Sequence, residues 1–114
     1  VSDSLYATGI PFAASVVDLP STSQQLKRLM PISAGVRRLG SAALDLAYVA
    51  AGRYDGYWES GLKSWDIAAG VVIAREAGAI VEALDKGGDE PHDLGNVICA
   101  NDAQFEEFAK IIRN

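Results

Sequence analysis

The chain has 114 residues, a formal net charge of −5 and a hydrophobic content of 49%, which suffices for one compact domain with an apolar core. The acidic balance argues against nucleic acid and anionic membranes as partners, because binding to phosphate backbones depends on clustered lysine and arginine. No run of eighteen apolar residues is present, which argues against a membrane-spanning helix, and the single cysteine, Cys99, excludes an internal disulfide and is compatible with the reducing cytoplasm.

The start of the chain carries no initiator methionine and no signal-peptide pattern, and Val1 stands directly before an apolar stretch. We therefore expect residues 1–114 to be a single domain that belongs to a longer protein. Ser4–Ile10 is short, apolar and strand-like. Hydroxyl residues 21–23 are suited to cap a helix that ends at Pro31. The apolar residues of that helix are Leu26, Leu29 and Met30.

The middle of the chain predicts a strand, a helix and a second strand. Val36–Leu39 is strand-like, and Gly40 with Ser41 opens a helix that Gly52 closes. Apolar residues at the spacing i, i+3, i+4, i+7 define one face of this helix, namely Ala43, Leu46, Ala47 and Ala50. Tyr54–Glu59 is aromatic-rich and strand-like up to Gly61.

The following helix starts near Asp66, which stands at an N-cap or first-turn position. Four residues at helical spacing form its core face, namely Ile67, Gly70, Val71 and Ala74. Its other faces are also mostly apolar, so we expect this helix to be buried on all sides. Gly78 ends it.

The last third of the chain predicts two strands and a helix. The strands are Ala79–Leu84 and Asn96–Ala100, and the acidic segment 85–93 between them is expected to be a solvated turn. Asn101 with Gln104 resembles a capping box at the start of a helix whose apolar residues are Phe105, Phe108, Ala109 and Ile112. The alternation of strands and helices predicts one layered α/β domain.

Asp66 is the residue with the clearest chemical potential. A carboxylate at the start of a buried helix is costly to desolvate unless something pairs with it. The partial positive charge of the helix N-terminus supplies part of that pairing, and a divalent cation could supply the rest. Taken by itself, the position is explained at least as well by simple helix capping, which is common for aspartate.

The segment Trp-Asp-Ile-Ala-Ala-Gly at 65–70, followed by Ala-Gly-Ala-Ile-Val at 77–81, resembles the second signature of the inositol monophosphatase family. That signature reads W-D-x-A-A-G and later A-G-G-x-V, so Ala79 replaces one glycine. Residues 7–12 and 37–52 are also similar to bacterial members. The resemblance covers nearly the whole chain. It implies a mixed β-sheet flanked by helices, forming the C-terminal part of the αβαβα sugar-phosphatase fold.

The resemblance also implies roles for individual residues. Asp66 corresponds to a catalytic metal ligand, and the implied metal is Mg²⁺. Gly40, Ser41 and Ala42 correspond to a turn that approaches the substrate hydroxyls, and Glu59 corresponds to an acid that binds a sugar hydroxyl. A glycine-led turn that opens a helix does present free N–H groups to a ligand. The alternatives are a solvated acid at Glu59 and a turn selected for close packing at 40–42.

Other parts of the family pattern are missing. The first signature, D-P-[IL]-D-G-T, is absent, and so is the acidic pair that activates the nucleophilic water. Segment 85–93 matches neither that signature nor an EF-hand loop. One aspartate offers too few oxygens for a magnesium site, so the resemblance implies an inactive fragment that needs the N-terminal half of the same enzyme.

Three hypotheses of function follow. The first is magnesium-dependent hydrolysis of a phosphate monoester, myo-inositol monophosphate above all, by a cytoplasmic homodimer. The second is a sister phosphatase acting on histidinol phosphate, fructose 1,6-bisphosphate or adenosine 3′,5′-bisphosphate. The third is a non-catalytic regulator that retains the fold.

Several other residues are explained more simply by structure than by chemistry. His92 is expected in an exposed loop and Cys99 in the core. Arg37 and Arg38 are expected in solvent or in salt bridges. Four aromatic residues are expected in the core or at an interface, namely Tyr54, Tyr57, Trp58 and Trp65.

Overall fold

Strands and helices alternate along most of the chain in a computed structural model, which describes residues 3–9, 19–38, 40–84, 90–91 and 95–113. The strands are β1 (Leu5–Thr8), β2 (Gly35–Arg37), β3 (Gly56–Glu59), β4 (Ile80–Glu82) and β5 (Val97–Ala100). The helices are α1 (Leu19–Leu29), α2 (Ala42–Ala50), α3 (Ser64–Glu76) and α4 (Phe105–Arg113), and a short 3-10 turn, Met30–Ile32, follows α1.

The five strands form one sheet in the order β2-β1-β3-β5-β4. Strand β1 is parallel to both of its neighbours, with Ala7 opposite Arg37 on one side and Tyr57 on the other. Strand β5 is antiparallel to both β3 and β4. The sheet is therefore mixed, which confirms the predicted mixed α/β class.

Alternate residues of the strands face two different helix layers, as the period of two in a strand requires. On one face, α2 and α3 cover Ala7, Tyr57, Val81, Val97 and Cys99. On the other face, α1 and α4 cover Tyr6, Trp58, Ile98 and Ala100. The result is a three-layer α/β/α arrangement with an apolar core on each side of the sheet.

Helices α2 and α3 approach each other closely at Gly70. A Cβ atom at this position would lie 2.7 Å from Leu46 Cδ1 and 3.0 Å from Leu46 Cβ. The absence of a side chain at Gly70 thus lets the two helices pack side by side on the sheet. The predicted core face of α3 is confirmed, because Ile67, Gly70, Val71 and Ala74 are all buried.

The prediction that α3 is buried on all sides is wrong. Trp65 is 79% exposed, Val72 60% and Ile73 51%, and Ala68 and Ala69 are exposed as well. These five residues lie at the helical spacing i, i+3, i+4, i+7, i+8 and so form one stripe, which we call the outer face of α3. The sheet covers only one side of this helix, and nothing else in the described part of the chain covers the other.

Two finer predictions, one for α1 and one for α2, also need correction. Residues 21–23 lie inside α1, because the helix already begins at Leu19. Ala43 is exposed, and the buried residues of α2 are Ala42, Asp45, Leu46 and Val49. Each position of the buried face thus lies one residue earlier in the chain than predicted.

The predicted capping box of α4 is only half formed. The Asn101 side chain accepts a hydrogen bond from the Gln104 N–H at 3.0 Å. The Gln104 side chain turns instead to β1, where its Oε1 accepts from Ser4 Oγ at 2.9 Å and from the Tyr6 hydroxyl at 2.6 Å. Long-range contacts between the sheet and α4 thus replace the local bond.

Two remaining observations concern the chain as a whole. No helix among the described residues is both long and apolar enough to cross a membrane. The predicted turn at 85–93 and the loop position of His92 lie mostly or wholly outside the described residues.

Candidate active site

Glu59 lies at the end of β3, and its carboxyl group is held on two sides. Tyr57 faces the same side of the sheet, and its hydroxyl donates a hydrogen bond to Glu59 Oε1 at 2.5 Å. On another side stands Gly9, where a Cβ atom would lie only 2.1 Å from Glu59 Cδ and Oε2. The carboxyl group therefore occupies space that any side chain at position 9 would fill.

The neighbouring residues fix this end of β3 in place. The Thr8 hydroxyl donates to the carbonyl oxygen of Trp58 at 2.8 Å, which ties β1 to β3 next to the Glu59 carboxyl. Trp58 points to the opposite layer, where its indole N–H donates to Gln25 Oε1 at 2.8 Å. Because Trp58 is anchored, Tyr57 and Glu59 are both directed toward the α2 and α3 layer.

Asp66 is the third residue of α3. Its Oδ2 accepts a hydrogen bond from the Lys63 N–H at 3.0 Å, so the carboxylate caps one of the free donors at the helix start. The side chain is half-buried. Its Oδ1 receives no hydrogen bond from any described residue, which leaves this oxygen available as an acceptor or ligand.

The charge of Asp66 acts on the carboxyl group of Glu59. Burial raises the pKa of Glu59 above its ordinary value, and the negative charge of Asp66 raises it further. The hydrogen bond from Tyr57 and the positive charge of Arg38 both lower the pKa of Glu59, and they offset part of the rise. The structure thus brings two of the predicted site residues together on one side of the sheet.

The turn at 40–42 starts α2 on the same side of the sheet. Gly40 has a φ of 83°, in the left-handed region that favours glycine. Ser41 is the N-cap, and its hydroxyl accepts from the Leu44 N–H at 3.3 Å. Ala42 is buried as the first residue of the helix. Within the described residues, no hydrogen bond joins this turn to Glu59 or Asp66.

Asp45 is a buried acid that sequence reasoning missed. Its side chain is 1% exposed, and neither carboxylate oxygen has a hydrogen-bond partner among the described residues. Burial raises the pKa of Asp45 to about 7, and the negative charge of Glu59 adds to the rise. The sequence did contain an indication of this burial. Asp45 lies three residues after Ala42 and four before Val49, so helical spacing places it on the apolar face of α2.

The weaker candidates behave as ordinary structural residues. Cys99 is fully buried in β5, and burial raises the pKa of its thiol to about 12, so the reactive thiolate is scarce at neutral pH. Arg37 and Arg38 are exposed. Tyr54, Tyr57 and Trp58 are buried, whereas Trp65 is exposed.

Comparison with known proteins gives a consistent result. A sequence model described as "Inositol monophosphatase family" matches residues 5–114. The inositol-1-monophosphatase of Mesorhizobium japonicum is 52% identical over 89 residues, which are 78% of this chain and 33% of that protein. The Nus factor SuhB of Pseudomonas aeruginosa is 41% identical over 110 residues, which are 96% of this chain and 40% of that protein.

Solved structures show the same likeness. The extragenic suppressor protein suhB from Bartonella henselae superposes with a TM-score of 0.89 at 38% identity, over 99% of this chain and 42% of that one. An inositol monophosphatase from Anabaena superposes with a TM-score of 0.86 at 38% identity, over 97% of this chain and 44% of the other. The chain therefore spans between a third and a half of the length of these relatives.

Proposed function

This chain belongs to the inositol monophosphatase family, and from that premise we propose that it is the C-terminal half of a magnesium-dependent phosphatase whose substrate is myo-inositol monophosphate. In this proposal the N-terminal half of the same enzyme completes the active site, and the chain alone is inactive. The substrate, the metal and the division of labour between the halves all rest on the relatives and on the residues discussed next.

The observation that carries the proposal is the pairing of Glu59 and Asp66. Both carboxylates lie on the α2 and α3 side of the sheet, and each keeps one oxygen without a donor among the described residues. Repulsion by the negative charge of Asp66 adds to the rise in the pKa of Glu59 that burial causes. Such repulsion between acids is typical of sites that work on charged or polar ligands.

Asp66 fits as one ligand of a hard divalent cation, because it is a half-buried carboxylate with a free oxygen. A magnesium site needs about six oxygen ligands. In the part of the chain that the structure describes, no group of three or more His, Cys, Asp or Glu side chains is placed to hold a metal. We therefore assign the remaining ligands to the N-terminal half. When bound, the metal would polarise the phosphoryl group and stabilise the leaving oxygen.

The chain's own contribution is to hold the alcohol part of the substrate. Glu59 Oε2 would accept a hydrogen bond from a ring hydroxyl, because the other oxygen is already occupied by Tyr57. The turn at Gly40, Ser41 and Ala42 would offer backbone N–H groups at the start of α2. Positioning of this kind contributes to hydrolysis by orienting the ester for in-line attack.

The outer face of α3 is where we propose that the N-terminal half packs. Trp65, Val72 and Ile73 are all more than half exposed, and an apolar stripe of this size on a helix is normally covered. The relatives have more than half of their length outside the matched region, so a segment large enough to cover it is available in proteins of this family.

We further propose that the enzyme is a homodimer of the cytoplasm. The dimer rests on the family resemblance, and sedimentation of the full-length protein tests it. The cytoplasmic assignment is supported by the single, buried Cys99, which suits a reducing compartment.

Two other functions remain candidates. A sister phosphatase acting on histidinol phosphate, fructose 1,6-bisphosphate or adenosine 3′,5′-bisphosphate would use the same carboxylates with different loops. A non-catalytic regulator that retains the fold is favoured by relatives that carry the name Nus factor SuhB, among them the proteins of Pseudomonas aeruginosa and Haemophilus influenzae.

Phosphate release by the full-length protein separates these functions. We expect hydrolysis of myo-inositol monophosphate that depends on added Mg²⁺ and exceeds hydrolysis of the three other phosphate esters. The purified 114-residue chain should release none. A faster reaction with another ester would favour the sister phosphatase, and no release from any of them would favour the regulator. Magnesium-dependent turnover by the 114-residue chain would contradict the assignment of ligands to the other half.

A further inference from the structure

Tyr57 and Gly9 enclose the Glu59 carboxyl group, and the proposed function does not by itself explain this arrangement. Tyr57 donates its hydroxyl to Oε1, and Gly9 leaves room for Oε2 and Cδ. Tyr57 is fully buried in the core under α2 and α3, so its ring cannot change orientation without disturbing that core.

Two features make this arrangement more than ordinary packing. A freely rotating glutamate at a strand end would sample several rotamers, whereas this one has one oxygen bound and one face closed by backbone. Among the described residues, Glu59 is the only hydrogen-bond partner of the Tyr57 hydroxyl. Loss of the hydroxyl would thus act on Glu59 and on no other hydrogen-bond partner in the described residues.

We propose that Tyr57 and Gly9 are positioning residues that determine substrate selectivity by fixing the Glu59 carboxyl group with Oε2 turned to the alcohol part of the substrate. The inference rests on the proposed role of Glu59 as a ligand for a ring hydroxyl. Tyr57 acts as the hydrogen-bond donor that selects one rotamer of Glu59. Gly9 acts by the absence of a side chain, and it gives the carboxyl group a place against the end of β1.

Nearby charged groups affect the protonation of Glu59. Asp66 raises the pKa of Glu59, while Tyr57 and Arg38 lower it. Asp45 lies on α2, and the negative charge of Glu59 adds to the rise that burial produces in the pKa of Asp45. A hydrogen bond from a neutral hydroxyl helps to keep Glu59 ionised among these acids, which a hydroxyl-binding acceptor requires.

A double-mutant cycle in the full-length protein tests the inference. The variants are Tyr57→Phe, Glu59→Gln and the pair, and the readout is kcat/KM for myo-inositol monophosphate divided by kcat/KM for p-nitrophenyl phosphate, which has no sugar hydroxyls. We expect Tyr57→Phe to lower this ratio by roughly tenfold, mainly through KM for the inositol ester. In the Glu59→Gln background, the same change should have little further effect.

Tyr6→Phe is the matched control, because Tyr6 is also buried and also donates its hydroxyl to a side chain, on the other face of the same sheet. Its ratio should equal that of the wild type. The proposal for Tyr57 would be overturned if Tyr57→Phe left the ratio as unchanged as this control does. It would also be overturned if Tyr57→Phe lowered the ratio by the same factor in the wild-type and Glu59→Gln backgrounds.

Gly9→Ala tests whether Gly9 positions the Glu59 carboxyl group by leaving space for it. The added methyl group displaces the Glu59 carboxyl group, so we expect a loss of selectivity similar to that of Glu59→Gln. In a Glu59→Ala background no carboxyl remains to be displaced, and Gly9→Ala should be silent. An equal loss in both backgrounds would show that Gly9 acts on something other than Glu59.

A measurement without substrate separates this inference from the proposed function. The titration of Glu59 can be followed by NMR of isotope-labelled glutamate carboxyl groups in the full-length protein. Tyr57→Phe should move its midpoint to higher pH, and Tyr6→Phe should not. If the protein hydrolyses no phosphate ester but this shift occurs, the proposed function is wrong, and the positioning of Glu59 by the Tyr57 hydrogen bond is confirmed. An unchanged midpoint would refute that positioning whatever the activity.

Discussion

At the scale of single residues, the negative charge of Asp66 distinguishes its two possible roles, because a metal ligand needs the charge and a helix cap does not. Asn in its place keeps the shape and still accepts from the Lys63 N–H, so the free energy of unfolding should change by less than about 1 kcal/mol. The loss of negative charge should reduce binding of a hard cation and lower turnover of the full-length protein by orders of magnitude. Turnover against Mg²⁺ concentration, together with melting temperature, measures both effects.

Glu106→Gln is a suitable control for that experiment. Glu106 is also a first-turn acid, but it belongs to α4 and is exposed. It should leave turnover unchanged. Near-normal turnover of Asp66→Asn at ordinary Mg²⁺ would return Asp66 to a capping role.

Asp45 leads to a prediction about pH. Its pKa is raised from 3.8 to about 7 in the folded chain, so between these values the native state holds a proton that the unfolded state has released. Stability from this group is therefore complete below about pH 4 and is lost as the pH rises to about 7. Asp45→Asn should remove this dependence and stabilise the protein at pH 8 by roughly 1–3 kcal/mol.

Urea unfolding at several pH values measures this effect. Asp102→Asn, at an exposed position, should keep the pH dependence of the wild type. A variant Asp45→Asn that loses stability between pH 4 and pH 8 as steeply as the wild type would mean that Asp45 does not carry the buried proton.

The two aspartates also show what a sequence can reveal at this scale. Asp66 stands at a helix start, where local rules for capping apply, and the family signature marks it as well. Asp45 lies inside an otherwise apolar face. Only the packing of α2 against β3 and α3 shows that its carboxyl group is buried with no hydrogen-bond partner in the described part of the chain. Local pattern identifies the first residue, but burial of the second depends on tertiary contacts.

At the scale of helices and strands, Gly70 gives the sharpest prediction. An alanine methyl group would come within 3.0 Å of Leu46 Cβ, an atom that moves only with the backbone of α2. Overpacking of this kind costs about 1–3 kcal/mol, which exceeds the gain of up to about 1 kcal/mol in helix propensity. We expect Gly70→Ala to destabilise the protein, as measured by urea unfolding.

Leu46→Ala supplies the matching background for that test. Leu46→Ala removes Cδ1, which would lie 2.7 Å from the added methyl group, but keeps Leu46 Cβ at 3.0 Å. The cost of Gly70→Ala should therefore shrink in this background without vanishing. An equal cost in both backgrounds would mean that the contact with Leu46 Cδ1 is not the cause.

Most elements were predictable from sequence, and the errors have physical causes. The starts of α2 and α4 follow from Ser41 and Asn101, which cap locally. The start of α1 was placed too late, because hydroxyl residues are tolerated inside a helix as well as at its cap. The exposure of α3 could not be read from its composition, since an apolar stripe looks the same whether another segment covers it or not.

At the scale of the whole molecule, the outer face of α3 predicts different behaviour for the short and the full-length chain. Val72→Glu with Ile73→Glu should reduce self-association of the 114-residue chain, because charge replaces an exposed apolar surface. In the full-length protein the same pair should lower the melting temperature, because the charges would be buried against the N-terminal half. Sedimentation and thermal unfolding of both proteins test this.

Met30→Glu with Ile32→Glu is the control pair, since Met30 and Ile32 are exposed apolar residues outside α3. These changes should leave the melting temperature of the full-length protein nearly unchanged. If both pairs have equal effects on it, the outer face of α3 is not the surface that the rest of the enzyme covers.

The strand order has a consequence for synthesis on the ribosome. Strand β5 is made last but lies between β3 and β4, so neither of these strands has its neighbour on that side until residues 97–100 have emerged. At about 5–20 residues per second, the segment between Glu82 and Val97 takes on the order of one to three seconds to translate. During that interval the backbone N–H and C=O groups along this edge of β3 are unpaired and open to pairing with other nascent chains. Slow codons between β4 and β5 would lengthen this exposure.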